Sequence, residues 1–236
     1  MFFLGGCIMF DTSKTVHRRG FLGGITAGVA ALGLAKLASP VSAAARSLNE
    51  AYHPDTGSFD AWLNKISGKH RQVFDSPAHR DGLPLAWARV FLSTNNDIGT
   101  PDSDLCAVLI LRHESIGLAM EDRLWAKYNF GDVFKLNDSV TKAPAVRNPF
   151  WNPKPGELML PDMSIDQLQK RGVLFGVCDM AMTVYSMKIG EAMKMPAADV
   201  KKDWVSGVLP GIQIVPSGVL AVNRAQEHGC TYCFAG

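Results

Sequence analysis

Short, continuous apolar runs recur along this chain, separated by longer stretches that mix apolar and polar positions. The runs at 105–111, 173–177 and 212–215 are almost entirely apolar. Such runs are typical of strands that are buried on both faces, as in a parallel sheet. Two further short runs, at 71–75 and 230–234, predict the remaining strands. We therefore expect a sheet of about five strands.

The stretches between these runs carry apolar residues at helical spacing. In the first stretch Phe59, Trp62, Leu63 and Ile66 fall at i, i+3, i+4 and i+7, which suits one face of a helix. Predicted helices cover 58–67, 83–92, 116–128, 164–171, 180–195, 197–208 and 218–227. Helices that alternate with strands predict an α/β fold with a doubly wound, mainly parallel sheet covered on both faces.

Two segments show neither pattern. Residues 95–101 are rich in Asn, Asp and Gly and predict a loop. Residues 131–160 contain several prolines and the aromatic pair Phe150-Trp151. An insertion of this length is typically a lid, an arm that contacts a partner, or a disordered segment. Ser164 then offers an N-cap for the helix that follows.

Paired arginines, Arg18-Arg19, precede a Gly- and Ala-rich apolar stretch that ends in small residues. This order is that of an export signal, and the paired arginines indicate the twin-arginine route. We expect a signal peptide over 1–43 and a single domain over 44–236, located in the periplasm after passage through the Tat translocon. A membrane helix, or an uncleaved leader acting as an anchor, is the alternative, although Lys36 interrupts the apolar stretch.

Charge and cysteine content narrow the function classes. The chain has 24 Lys and Arg against 22 Asp and Glu. Because much of the basic excess lies in the predicted leader, the remaining domain is close to neutral, and no basic stripe indicates nucleic-acid binding. The domain keeps four cysteines, too few for a disulfide framework. The sequence also has no glycine-rich phosphate loop, serine-hydrolase elbow or strong metal-binding motif.

Polar residues follow the predicted strands, and the carboxyl ends of parallel strands share one edge of a sheet, where ligands bind. The residues at this edge are Asp75 and His79 after the first strand, His113 and Glu114 after the second, Cys178 and Asp179 after the third, and Ser217 after the fourth. We take Asp75, His79 and Ser217 as candidate substrate-binding residues.

Cys178 is the strongest candidate for chemistry because it lies where a buried strand turns into a helix. Amide N–H groups and the helix dipole at that position stabilise a thiolate, which attacks sulfur or binds metal. The adjacent Asp179 opposes this effect by charge repulsion. His113 is the candidate positioning or proton-transfer group. The alternatives are a buried, inert thiol and a histidine that is hydrogen-bonded locally.

Cys230 and Cys233 have the spacing of a redox pair or half of a metal site. Residues three apart in a strand face opposite sides, so joint action would require a turn at this point. A disulfide, half of a metal site and two unrelated thiols all fit the spacing.

Two segments resemble DsrE/DsrF-like proteins. The first runs from Leu168 to Cys178 (LQKRGVLFGVC) and is followed by an apolar helix. The second begins with Ile212-Gln213-Ile214-Val215 and continues through residues 216–229 to a final aromatic strand. The resemblance implies a flavodoxin-like sheet, assembly as a trimer or hexamer, and sulfur carried as a persulfide on Cys178. The export signal, the long insertion and the Cys230/Cys233 pair depart from the family pattern.

The resulting hypothesis is an exported sulfurtransferase or sulfur carrier. It would use Cys178 and His113 and bind a small sulfur species or a sulfur-donor protein, with no cofactor and no metal. One rival is a non-catalytic module that binds a metal or cofactor through His113, Cys178 and His79. Another is a partner-binding subunit of an envelope complex.

Overall fold

Five strands form one sheet in which every neighbouring pair is parallel. The computed structural model describes residues 56–236. Its strands are β1 (His70–Ser76), β2 (Leu105–Leu111), β3 (Leu174–Cys178), β4 (Ile212–Val215) and β5 (Thr231–Phe234). The order across the sheet is β4-β3-β2-β1-β5. The predicted α/β class and flavodoxin-like, doubly wound sheet are confirmed.

Helices connect these strands. They are α1 (Thr56–Leu63), α2 (Leu83–Asp97), α3 (Asp122–Tyr128), α4 (Phe130–Val133), α5 (Ile165–Lys170), α6 (Asp179–Met193), α7 (Ala197–Ser206) and α8 (Gly218–Glu227). Short 3₁₀ helices cover Arg80–Gly82, Asp102–Asp104, His113–Ala119 and Pro161–Met163.

Strand order decides which face of the sheet each helix covers. The strands β1 to β4 step in one direction, so right-handed crossovers place the helices between them on one face. The connection from β4 to β5 runs back across the sheet, which places α8 on the opposite face beside α1. Each face of the sheet therefore has its own hydrophobic cluster. Leu109 and Phe175 belong to the larger cluster, and Val108 packs with Trp62 and Ala221 in the smaller one.

Two helix boundaries differ from the prediction for reasons that lie elsewhere in the chain. A single helix over 116–128 was expected, but a 3₁₀ helix ends at Ala119 and α3 begins at Asp122. Between them the backbone pairs with a distant segment, since Leu209 N–H donates to Ala119 O at 2.8 Å and Met120 forms a bridge with Val208. These bonds hold Met120 in extended backbone and interrupt the helix.

The predicted loop at 95–101 is also partly wrong, because α2 continues to Asp97. Asn95 Nδ2 donates to Phe91 O at 2.8 Å, and Asn96 Nδ2 donates to Thr100 O at 2.9 Å. Asn95 therefore bonds a carbonyl inside the helix, and Asn96 bonds the segment that follows it. Ser164 is the N-cap residue of α5, as predicted, but its side chain makes no capping bond and donates to Asp166 instead.

The insertion at 131–160 is irregular beyond the end of α4, as predicted, but it packs closely on the domain. Asn148 is fully buried, and its Nδ2 donates to Leu118 O at 2.8 Å and to Met120 O at 2.9 Å. Phe150 lies in the larger cluster with 3% of its surface exposed. The insertion is thus part of the folded core.

No helix within residues 56–236 is both long enough and apolar enough to cross a membrane. The predicted signal peptide, with Arg18 and Arg19, lies outside the described residues.

Candidate functional site

Cys178 ends β3 and occupies the N-cap position of α6. Its side chain is almost buried, with the residue 6% exposed. Sγ accepts a hydrogen bond from Ala181 N–H at 3.2 Å. The N–H groups of Gly218 and Met180 also interact with this sulfur. The N-termini of two helices, α6 and α8, therefore direct backbone N–H groups at one sulfur atom.

The sheet topology explains why two helices meet at this point. The connection after β3 leads to α6 on one face of the sheet, and the connection after β4 leads to α8 on the other face. Neighbouring strands whose connections diverge open a crevice at their carboxyl ends, which is the usual ligand position in such folds. Cys178 lies on one side of this crevice, and Ser217 with Gly218 lies on the other.

Two opposing effects act on the Cys178 thiol. Burial raises its pKa, because removal of water disfavours the charged form. The N–H groups of Gly218, Ala181 and Met180 lower the pKa, and the charge of Asp179 raises it. Burial prevails, so the resting thiol keeps its proton, while the N–H groups favour any anion that forms at this position.

Arg112 adds a fixed positive charge to this edge of the sheet. Its Nε and Nη2 donate to Oδ1 and Oδ2 of Asp75 at 2.6 and 2.9 Å, and Tyr232 Oη donates to Asp75 Oδ2 at 3.0 Å. A negative charge on Cys178 raises the pKa of Arg112. A Cβ added at Gly218 would lie 2.6 Å from Arg112 Cβ, so the arginine packs against the start of α8. Asp75 thus orients the guanidinium.

His113 begins the 3₁₀ helix after β2 with a left-handed backbone (φ 53°). Its side chain is 60% exposed, Nδ1 lies 3.9 Å from Glu114 Oε1, and the ring meets Tyr185 edge-on. Within the described residues its side chain makes no hydrogen bond to Cys178. His113 therefore lies at the predicted edge of the sheet without bonding to the thiol.

His79 and Ser217 have structural roles. His79 Nδ1 accepts from Asp81 N–H at 3.1 Å, and Nε2 lies 2.7 Å from Phe134 O, so both ring nitrogens are used. Ser217 Oγ accepts from Leu220 N–H at 3.1 Å and caps α8. Ser217 thereby fixes the helix start whose N–H group faces Cys178.

Cys230 and Cys233 lie on opposite faces of the sheet, as the strand geometry predicts. Cys230 is buried in the smaller hydrophobic cluster, whereas Cys233 is half-buried against the larger one. Both thiols are free, and burial raises the pKa of Cys230 to about 11. The structure therefore does not bring the two sulfurs together.

Within residues 56–236, no group of three or more His, Cys, Asp or Glu side chains is placed to hold a metal ion. His79, one of the expected ligands, uses both ring nitrogens in hydrogen bonds.

Arg112 is the site residue that the sequence analysis missed. It directly follows the buried strand β2, next to His113, so its position at the carboxyl edge was a usable signal. Comparisons of the chain with protein-family models, curated proteins and solved structures returned no match. The function is therefore inferred from the arrangement around Cys178.

Proposed function

We propose that this chain is a sulfur carrier that holds sulfane sulfur as a persulfide on Cys178. The observation that supports this most strongly is the convergence of N–H groups from two helix N-termini on one sulfur atom, with Arg112 beside it. A persulfide ends in a sulfur that is anionic at neutral pH. The N–H groups and Arg112 stabilise this persulfide anion more than they stabilise the neutral thiol of Cys178.

The loading reaction with thiosulfate balances without an external oxidant. Cys178 sulfur attacks the outer sulfur of thiosulfate, a new sulfur–sulfur bond forms, and the bond to the sulfonyl sulfur breaks. The electron pair of that bond leaves with sulfite, which takes the thiol proton and departs as hydrogensulfite. The products are the anionic persulfide and hydrogensulfite.

Arg112 and the N-termini of α6 and α8 would stabilise both the sulfur donor and the persulfide product. A dianionic donor is attracted by the guanidinium and by the N–H groups that line the crevice. The persulfide anion that remains is stabilised by the same groups. Asp75 keeps Arg112 in place through a two-point ion pair, which limits the reorganisation required when the donor arrives.

Mass spectrometry after incubation with thiosulfate or polysulfide tests the proposal. We expect the intact protein to gain the mass of one sulfur atom, removable by dithiothreitol, and peptide analysis to locate it on Cys178. The variant Cys178→Ser should gain none. The matched control is Cys233→Ser, because Cys233 is the least buried of the four described thiols. Sulfur on Cys233 in the wild type, or unchanged loading of Cys178→Ser, would overturn the proposal.

We further propose that the protein is exported and that it assembles as a trimer or hexamer. Arg18 and Arg19 support the first part, and the resemblance to DsrE/DsrF-like proteins supports the second. Replacing both arginines by lysine should retain the protein in the cytoplasm in cell fractionation. Sedimentation analysis of the purified protein should give three or six times the chain mass, and a monomer would overturn the assembly.

A further inference from the structure

A cavity of about 450 Å³ lies between the turn that follows β1 and the insertion. Its apolar lining includes Ala86, Leu136, Phe150 and Met163, all buried. None of the residues that surround Cys178 lines it. Its size falls within the range of small-molecule sites in proteins. The cavity is thus separate from the crevice at Cys178.

Two cationic side chains without partners line the exposed part of this cavity. Arg80 and Lys135 are exposed lining residues, and within residues 56–236 neither side chain has a hydrogen bond or an ion pair. A third cation, Lys142, donates to Ser139 O at 2.7 Å. Unpaired cations beside an apolar lining offer both parts of a site for an amphipathic anion.

The acidic lining residues are mostly engaged elsewhere. Asp138 Oδ1 accepts from Val140 and Thr141 N–H at 3.0 and 2.7 Å. Glu157 pairs with Arg147, outside the lining, and accepts from Lys154 N–H at 2.6 Å. Asp81 is the third acid; its side chain is 89% exposed and lies 4.0 Å from His79 Nδ1. Arg80 and Lys135 are therefore the unpaired cations of the lining, and Asp81 is its exposed carboxylate.

The backbone of the lining is unusually strained. Arg80, Asp81, Lys135 and Lys142 have φ between 41° and 61°, the left-handed region that non-glycine residues rarely adopt. They are four of the eight non-glycine residues with positive φ in the described part of the chain. Strained positions cluster at ligand sites, because the surrounding structure must hold them. Both unpaired cations belong to this group.

We propose that this cavity binds a small organic anion, a carboxylate or sulfonate with an apolar body. The acid group would bridge Arg80 and Lys135, and the apolar body would contact Phe150 and Met163. This inference is independent of sulfur chemistry at Cys178. It assigns the insertion a role in ligand binding, since Lys135 and Phe150 both belong to it.

Calorimetry with naphthalene-1-sulfonate tests the assignment on the protein as purified. We expect saturable binding of one ligand per chain. The neutral naphthalene-1-sulfonamide has nearly the same shape, and it should bind at least about tenfold more weakly because the ionic partner is lost. Added NaCl should weaken sulfonate binding, since exposed charges are screened. Equal affinity for the two compounds, or no saturable binding of the sulfonate, would overturn the assignment.

Three variants separate the cations from the rest of the surface. Arg80→Met and Lys135→Met keep a long side chain without charge, and each should weaken sulfonate binding about tenfold. Lys202→Met is the matched control on exposed surface away from the cavity and should bind like the wild type. Thermal melts of each variant show whether the fold is retained, and the salt series on the wild type tests the electrostatic part without any substitution. Unchanged binding in a folded double variant, Arg80→Met with Lys135→Met, would contradict the proposal.

Discussion

Asp75 and Arg112, at the ends of neighbouring parallel strands, form a two-point ion pair in which Nε meets Oδ1 at 2.6 Å and Nη2 meets Oδ2 at 2.9 Å. The carboxylate is nearly buried, with 7% of the side chain exposed, while 28% of the arginine side chain is exposed. One end of the pair is thus anchored in the domain, and the other reaches the edge where Cys178 lies.

Removing the charge of Asp75 should affect both stability and sulfur loading. In Asp75→Asn, Arg112 loses its carboxylate partner, so we expect a loss of about 2 kcal/mol in the free energy of unfolding. Thiosulfate loading of Cys178 should slow, because the guanidinium is no longer fixed. Urea denaturation and time-resolved mass spectrometry measure the two effects. The control Tyr232→Phe removes only the hydroxyl bond to Asp75 and should cost about 1 kcal/mol or less. Wild-type stability in Asp75→Asn would contradict the anchoring role.

Gly82 is required by two independent constraints. Its φ is +86°, and an added Cβ would overlap the ring of Phe150 and lie 3.1 Å from Met163 Cε. Gly99 has a similar φ of +93° but has no atom within 4 Å of an added Cβ. We expect Gly99→Ala to cost about 1 kcal/mol from backbone strain alone and Gly82→Ala to cost about 3 kcal/mol, because Phe150 must also move. Equal losses in chemical denaturation would show that the Phe150 contact carries no energy.

The buried strands were predictable because their signal is local. The run at 105–111 is apolar at every position, and β2 covers the same residues. The segment 116–128 also had helical spacing, yet the helix is interrupted at Met120 by backbone pairing with residues near Leu209. A periodicity argument compares neighbours in sequence, so it cannot detect a partner that far along the chain.

The site was partly predictable for the same reason. Cys178 could be placed at the strand end, since strand ends and the helix that follows are visible in the sequence. Which polar neighbour faces it could not be predicted, because that depends on side-chain direction at the sheet edge. His113 was preferred on chemical grounds, whereas Arg112, one residue earlier, interacts with Cys178 and pairs with Asp75.

The buried ion pair between Asp179 and Lys201 should show a distinctive pH dependence. Lys201 Nζ lies 2.9 Å from Asp179 Oδ2, with the side chains 5% and 2% exposed. Burial raises the pKa of Asp179, and Lys201 opposes this. Lys201→Met removes the opposing charge, so the carboxyl pKa should rise further. A raised carboxyl pKa gives a contribution to stability that is present at low pH and lost as pH rises through the folded-state pKa.

We therefore expect Lys201→Met to lose about 3 kcal/mol at neutral pH, and to lose more at pH 8 than at pH 5 relative to the wild type. Urea denaturation at the two pH values measures the difference. Lys202→Met changes the adjacent exposed lysine and should stay within about 0.5 kcal/mol of the wild type. A loss that is the same at both pH values would show that the Asp179 carboxylate does not sense Lys201.

Asp203 should stabilise the domain through its negative charge. Tyr128 Oη and Lys127 Nζ donate to Oδ2, each at 2.7 Å, and Arg123 pairs with Oδ1. Burial opposes ionisation, but the hydrogen bonds from Lys127, Arg123 and Tyr128 prevail and lower the pKa of Asp203 to about 2. A carboxyl pKa depressed below its unfolded value of about 3.9 contributes stability above about pH 4, and this is lost as pH falls towards 2.

The variant Asp203→Asn isolates this contribution. It should be less stable than the wild type by about 2 kcal/mol at pH 7, and the difference should shrink between pH 4 and pH 2 as the wild-type carboxylate becomes protonated. Thermal or urea denaturation across that range measures it. Glu191→Gln, which neutralises an exposed carboxylate on α6, should differ little from the wild type throughout. If the Asp203→Asn deficit persisted unchanged at pH 2, where about half of the wild-type Asp203 is protonated and most of the charge-dependent stability is lost, it would arise from packing and not from the charge.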